Sequence, residues 1–364
     1  MHLFLSAYSQ STYILQRTSW DRGSDKEMPP DGSSKYRHLA AVLFRLNALS
    51  ILLPFAMATT SYASYYFAPC VSFWFLVTWG TLHIKPRWNS RLWTLAGKVL
   101  VALLLSHLLI SAPGVLERVS QATHWAFGLS RSAREMRFRP SLDRFVPLAG
   151  ISVAGRNFQA RTKLERTSSK AHAAAVNLEK SLGPPRVGRV AQRHENNGLR
   201  LPRWLLLGAL CIVGLYLCVF VLPPPGGRGE SFDKCTYNAF HPYISPLVVI
   251  ALLALRNSTV GLRSSYLHLP ADLGRISLET YVLQYHMWLA NDATGILSLG
   301  LVDRYHGGVQ EPVARSLEAR LLTVVFLAMA QLARDATQIL GQWMFGNREA
   351  SRRKGVAGRG EVVR

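Results

Sequence analysis

The sequence predicts an all-α protein: a polytopic transmembrane helix bundle with a long basic, flexible central loop. Three observations lead there. Apolar residues come in blocks of about 20, the length a helix needs to cross the hydrocarbon core. Lys and Arg fill the stretches between blocks. Trp, Tyr and Pro-Gly pairs gather at the block ends, as at membrane interfaces and helix stops. Of 364 residues 49% are hydrophobic and only 17% charged, yet 42 Lys and Arg against 21 Asp and Glu give a net charge of +21. A soluble domain carries about a quarter charged residues. A nucleic-acid binder interleaves its basic residues with amphipathic elements, whereas here they alternate with apolar blocks. The predicted partner is therefore the lipid bilayer, with no nucleic acid.

Taken in order, residues 1–37 form a polar leader whose loop signal is Met28-Pro29-Pro30-Asp31-Gly32. Met1 to Leu15 lacks the continuous apolar core of a signal peptide. An N-terminal transmembrane part follows over residues 38–155, with spans at His38–Thr59, Tyr65–Ile84 and Leu92–Ala112, the last stopped by Pro113-Gly114. Phe145–Ala154, which contains Pro147, reads as a short buried or re-entrant span. Residues 156–203 are rich in Arg, Lys, Ser and Ala without apolar periodicity, the signature of a basic flexible loop. The C-terminal transmembrane part, 204–345, holds Trp204–Leu222, Tyr243–Leu255, Leu273–Ala290 and Leu317–Leu340, and 346–364 is a basic tail. If 145–154 crosses, Lys85, Arg87, Arg91, the 156–203 loop and the tail all fall on the cytosolic side, as the positive-inside bias requires. Residues 114–142 are the exception. Asn257-Ser258-Thr259 is a glycosylation sequon that this arrangement leaves in the cytosol, where chance explains it.

The chemistry-bearing candidates are few. Glu279 and His286 fall on one face of the Leu273–Ala290 segment, two turns or about 10 Å apart along the axis. Ionisable groups inside a membrane are costly and ordinarily face a cavity or a partner. His286 suits a general base, since imidazole titrates near neutral pH; the plainer alternative is a histidine satisfied by a neighbouring helix. Arg275 and Glu279 are four apart, in the less favourable order for an ion pair. His241 precedes Pro242, which fits a first helical turn, so an interfacial cap is its simpler role. Arg134, Arg137, Arg139 and Arg144 form a cluster suited to phosphate groups, or equally to solvent and lipid headgroups. Cys70, Cys211, Cys218 and Cys235 show neither zinc nor disulfide spacing, and no metal is predicted.

Several stretches resemble one family when taken together. They are Phe44-Arg45-Leu46-Asn47, Tyr65-Tyr66-Phe67-Ala68-Pro69, Arg137-Phe138-Arg139 with Leu142-Asp143-Arg144, His241-Pro242-Tyr243-Ile244-Ser245 and the run from Gly274 to Ala290. The chain resembles the polytopic membrane O-acyltransferase domain shared by the fungal capsule-polysaccharide O-acetylation protein and the animal sialic acid O-acetyltransferase. The resemblance implies transfer of acetyl from acetyl-CoA, the acyl donor, to glycan or polysaccharide hydroxyls in the Golgi membrane. It makes His286 the expected base or acyl relay, with His241 a lumenal helper. Glu279 would shape the groove, and Arg137, Arg139 and Arg275 would be donor-binding residues. Full-length members carry a lumenal hydrolase-like domain with a Gly-Asp-Ser motif and an Asp-x-x-His pair. Neither is matched here, so the expected chain is a truncated product, an incomplete gene model or a stand-alone membrane module. The competing reading is a non-catalytic transport or scaffold subunit derived from such an enzyme.

Overall fold

The computed structural model describes residues 2–23, 32–57, 67–127, 133–182, 203–218, 234–290, 295–300 and 311–345. Those residues are helical with short connections; their one β-type pairing is an isolated antiparallel bridge between Leu289 and Ile296. The helices are α1 (His2–Gly23), α2 (Gly32–Met57), α3 (Phe67–His83), α4 (Leu92–Ser111), α5 (Val115–Phe127), α6 (Ala133–Leu142) and α7 (Val146–Leu182). They continue as α8 (Arg203–Tyr216), α9 (Lys234–Arg256), α10 (Val260–Ser264), α11 (His268–Arg275), α12 (Ser277–Met287) and α13 (Glu311–Phe345). Among the described residues, Lys35–Leu53, Leu92–Ser111, Tyr237–Arg256 and Val313–Phe345 are long and apolar enough to cross a bilayer. The protein is a multi-pass membrane protein. Its α4 leaves Leu100, Leu104, Leu105 and Leu108 more than half exposed, a face that lipid tails cover where water would not.

The chain divides into two units. The first comprises Met1–Asp25, Phe73–Val119 and Ala133–Leu267. Its core gathers Ile14, Leu15, Leu82, Leu95, Leu148 and Ile151, with Phe158 against them. The leader is thus no polar appendage, because α1 belongs to this core. Phe4, Ala7, Ser11, Ile14 and Leu15 are all buried, and their three-to-four-residue spacing makes one helical stripe. Mean composition hides such a stripe. α1 lies so close to α7 that a Cβ on Gly150 would sit 2.8 Å from the Phe4 carbonyl oxygen. Only glycine fits there. The expected re-entrant segment at 145–154 is the packed start of α7, where Val146, Leu148, Ile151 and Ala154 are buried and Pro147 occupies the tolerant first turn.

Two further expectations change. Residues 156–182, read as loop, continue α7 to Leu182; 183–202 lie outside the described residues. The Ala, Lys, Arg, Glu and Leu of residues 156–182 are strong helix formers, and the exposed turns at 163–169 need no apolar stripe. α9 begins at Lys234, so Pro242 and Pro246 lie within the helix and His241 is not at its start. Each proline frees a carbonyl one turn back, which a membrane helix tolerates where neighbours supply partners.

The second unit comprises Lys26–Ser72, Ser120–Ser132 and His268–Arg364. Ile276, Leu283, Phe326 and Ala330 form its core, with Leu49 and Leu53 of α2 packed against them. Asn47 donates through Nδ2 to Ser72 Oγ at 2.7 Å, and the rings of Phe44 and Phe345 are 5.9 Å apart. Here the expected single span from Leu273 to Ala290 is two helices. Gly274 weakens the end of α11, and Ile276 adopts φ −107°, ψ 13° between the helices, outside α-helical geometry. α12 has 11 residues and is therefore only about 16 Å long. That is half a bilayer crossing.

Candidate functional site

In the second unit the short helix α12 carries Glu279 and His286. Glu279 is 2% exposed, and Nη2 of Arg45, on α2, lies 4.0 Å from its Oε1. Its Oε2 is buried without a hydrogen-bond partner among the described residues. Arg334 and Asp335 of α13, themselves 3.7 Å apart, also act on Glu279 electrostatically. Three helices thus converge on one buried carboxylate, which Arg45 offsets without a close hydrogen bond. Two turns along, His286 is half-buried. The helix end is fixed by Trp288, whose Nε1 donates to Thr323 Oγ1 at 3.0 Å. Arg275 does not join this group. It lies on α11 beyond the break, two-thirds exposed, and pairs with Asp272 at 3.3 Å. The break at Ile276 removes the uninterrupted helix that would have set it one turn from Glu279.

A second polar cluster lies in the first unit. Asp143, just past α6, stands 3.7 Å through Oδ1 from Nε2 of His241 on α9. The Tyr237 ring, one turn before His241, has its centroid 5.1 Å from the imidazole, and Tyr243 packs on Phe145 with centroids 5.4 Å apart. These aromatics hold the imidazole edge toward Asp143. His241 Nδ1 is buried and lacks a hydrogen-bond partner among the described residues. Arg137 on α6 reaches Glu117 of α5 at 3.1 Å, while its Nε is buried without a partner among those residues. The Arg139 guanidinium lies 5.7 Å from the Phe138 ring centroid. An unsatisfied guanidinium N–H fits an anionic oxygen, which suits Arg137 to a phosphate; Arg139, two residues on, faces another side of α6. The imidazole and carboxylate suit proton transfer. At 3.7 Å they are at ion-pair range when the ring is protonated, and such contacts tighten when a substrate binds.

The 10 TM acyl transferase domain found in Cas1p matches residues 1–357. The chain belongs to this acyltransferase family. It is 29% identical over 270 residues to the N-acetylneuraminate (7)9-O-acetyltransferase of Danio rerio, a match covering 71% of this chain and 30% of that protein. The chain thus aligns with under a third of its curated relative's length. No solved structure matches it.

Within this family domain the candidate site residues fall into two groups. Arg137, Arg139 and His241 all lie in the first unit, and Glu279 and His286 share one helix in the second. The partners are not legible in the sequence. Asp143 and Arg45 lie in family-like motifs that give them no role by spacing, and Arg334 lies inside an apolar helix. Intramembrane charges at Arg45 and Arg334 were the available signal, and neither can be paired with Glu279 from spacing alone.

Proposed function

We propose that this membrane acyltransferase takes acetyl from acetyl-CoA and esterifies a glycan hydroxyl in the Golgi. The donor supplies an acetyl thioester, whose carbon–sulfur bond breaks as the carbon–oxygen bond of the sugar ester forms. His241 accepts the hydroxyl proton at Nδ1 and returns it to the departing CoA sulfur, which leaves as the free thiol, while Asp143 holds the ring through the Nε2 side. Arg137 and Arg139 take the donor phosphates. The single observation supporting this assignment is the His241–Asp143 pair at 3.7 Å, with Asp143 directly following α6, the helix that carries both arginines. It favours His241 over His286 as the base. Glu279, facing Arg45, is better suited to holding α12 in place than to carrying a proton, and Arg275 suits headgroup or solvent contact. The acceptor class follows the relative's printed activity, and the Golgi follows the family resemblance.

The test is the full chain in nanodiscs with labelled acetyl-CoA and sialylated or neutral glycans. We expect ester formation, and a kcat about 10² to 10⁴ lower in His241→Ala, the usual worth of a positioned base. A well-folded protein that neither acetylates sugar nor hydrolyses acetyl-CoA would instead be the scaffold subunit. Activity surviving His241→Ala but lost in His286→Ala would move the base to α12.

A further inference from the structure

Between α3 and α4 the first unit holds a cleft of about 650 Å³ that the acyl-transfer reading does not use. Most of its wall is apolar, including Leu76, Val101, Leu105 and Leu109. Two cations also line it, Lys85 and Lys98. Lys85 follows the end of α3 and Lys98 lies near the start of α4, so both mark the end where the 84–91 connection joins the helices. Lys98 is fixed there. Its Nζ donates to Asn89 Oδ1 at 2.6 Å, while Asn89, 1% exposed, donates through Nδ2 to the Leu82 carbonyl oxygen at 2.8 Å. An ammonium has three donors, and Asn89 accepts from one of them. Lys85 sits with Nζ 4.6 Å from the Trp88 ring centroid. The same connection adds Arg87 and Arg91 and contains no acidic residue.

We propose that this cleft binds one anionic phospholipid, from the leaflet that meets the 84–91 connection. Its phosphate would lie against Lys98 and Lys85, and one acyl chain would run along α3 and α4. The dimensions fit. From Lys98 to Leu109 the helix rises about 17 Å, close to the depth of one leaflet, half of a hydrocarbon core of about 30 Å. A cavity of this volume lies in the usual range for small-molecule sites, about 300 to 1,000 Å³. A free anion would satisfy the lysines but leave the apolar walls unfilled. A zwitterionic lipid would fill the walls and bring a cation of its own to the lysines. Basic pockets between membrane helices on the positively charged side bind acidic headgroups for this reason.

The test is native mass spectrometry of the full chain in mild detergent, titrated separately with phosphatidylserine, phosphatidylcholine and inorganic phosphate. One phosphatidylserine should be retained per chain in preference to phosphatidylcholine. Its affinity should fall about fivefold in Lys85→Gln or Lys98→Gln and roughly thirtyfold in the double variant, at the usual worth of a basic residue near an acidic headgroup. Gly97→Leu supplies a steric arm. A Cβ on Gly97 meets nothing within 4 Å, so leucine enters the cleft without pushing on the helices and should displace the lipid while the protein melts no lower. Equal retention of the two lipids, or undiminished binding in Gly97→Leu, would overturn the proposal. Displacement of the lipid by millimolar phosphate would reassign the lysines to a soluble anion.

Discussion

Replacing Arg45 by methionine should cost this protein more than replacing Glu279 by leucine, although each change removes the same 4.0 Å pair. The asymmetry comes from burial. Glu279 is 2% exposed and Arg45 39%, so losing Glu279 leaves a guanidinium on a long, flexible stem that can snorkel along its membrane helix toward the interface. Losing Arg45 strands a carboxylate that cannot move out. Breaking a buried pair from the exposed side costs about 3–5 kcal/mol, and we expect the lower end because Arg334 still acts on Glu279. Losing the buried member should cost about 1 kcal/mol, the scale of a polar contact between membrane helices. With about 2–4 °C per kcal/mol for a body of this size, Arg45→Met should melt roughly 6–12 °C lower and Glu279→Leu only about 2–4 °C lower. The double variant should recover most of the loss, since an apolar replacement of a buried pair is often neutral. Fluorescence-detected melting of tagged protein in detergent reads all three. If Glu279→Leu proved the worse single change, or the double variant fell by the sum, the carboxylate would not be buried against Arg45.

Three other outcomes follow from the same reasoning. Gly150→Val should destabilise by about 1–3 kcal/mol through overpacking, because the obstruction 2.8 Å away is the Phe4 backbone carbonyl; deleting α1 residues 2–15 in that variant should then cost less than in the parent, by the same melting assay. Asp143→Asn should lower kcat with little change in acceptor KM and displace the pH–rate profile, whereas Arg139→Gln should raise KM for acetyl-CoA and leave that profile in place; steady-state kinetics over pH separates the two. Glu318, 6% exposed, accepts from the Leu299 backbone N–H, so Glu318→Ala should speed hydrogen exchange at residues 297–300 and leave α13 protected.

How much could be read before folding differs from place to place. α2, α3, α4 and α13 announce themselves because a bilayer demands long apolar runs whatever their neighbours do. α1 and the second half of α7 do not, since one hides an apolar stripe in a polar average and the other needs no stripe at all. His241, His286, Glu279 and the arginines of α6 are visible as costly residue types in an apolar setting. Their partners are not, because Asp143 and Arg45 lie 98 and 234 positions away from His241 and Glu279 along the chain.

The sequence by itself determined the solvent this protein folds in, its helical architecture, its family and the residue types able to move a proton or hold a phosphate. All but the family follow from composition and short-range periodicity, which act within a turn or two of helix; the family rests on short motifs in a particular order along the chain. Tertiary structure alone decided which carboxylate faces which cation, that the segment before Ala290 breaks at Ile276, and that Arg275 stands apart from Glu279. Electrostatic pairing depends on distance in space, and only the packing of α2 on α12 and of α6 beside α9 brings those charges within reach of one another.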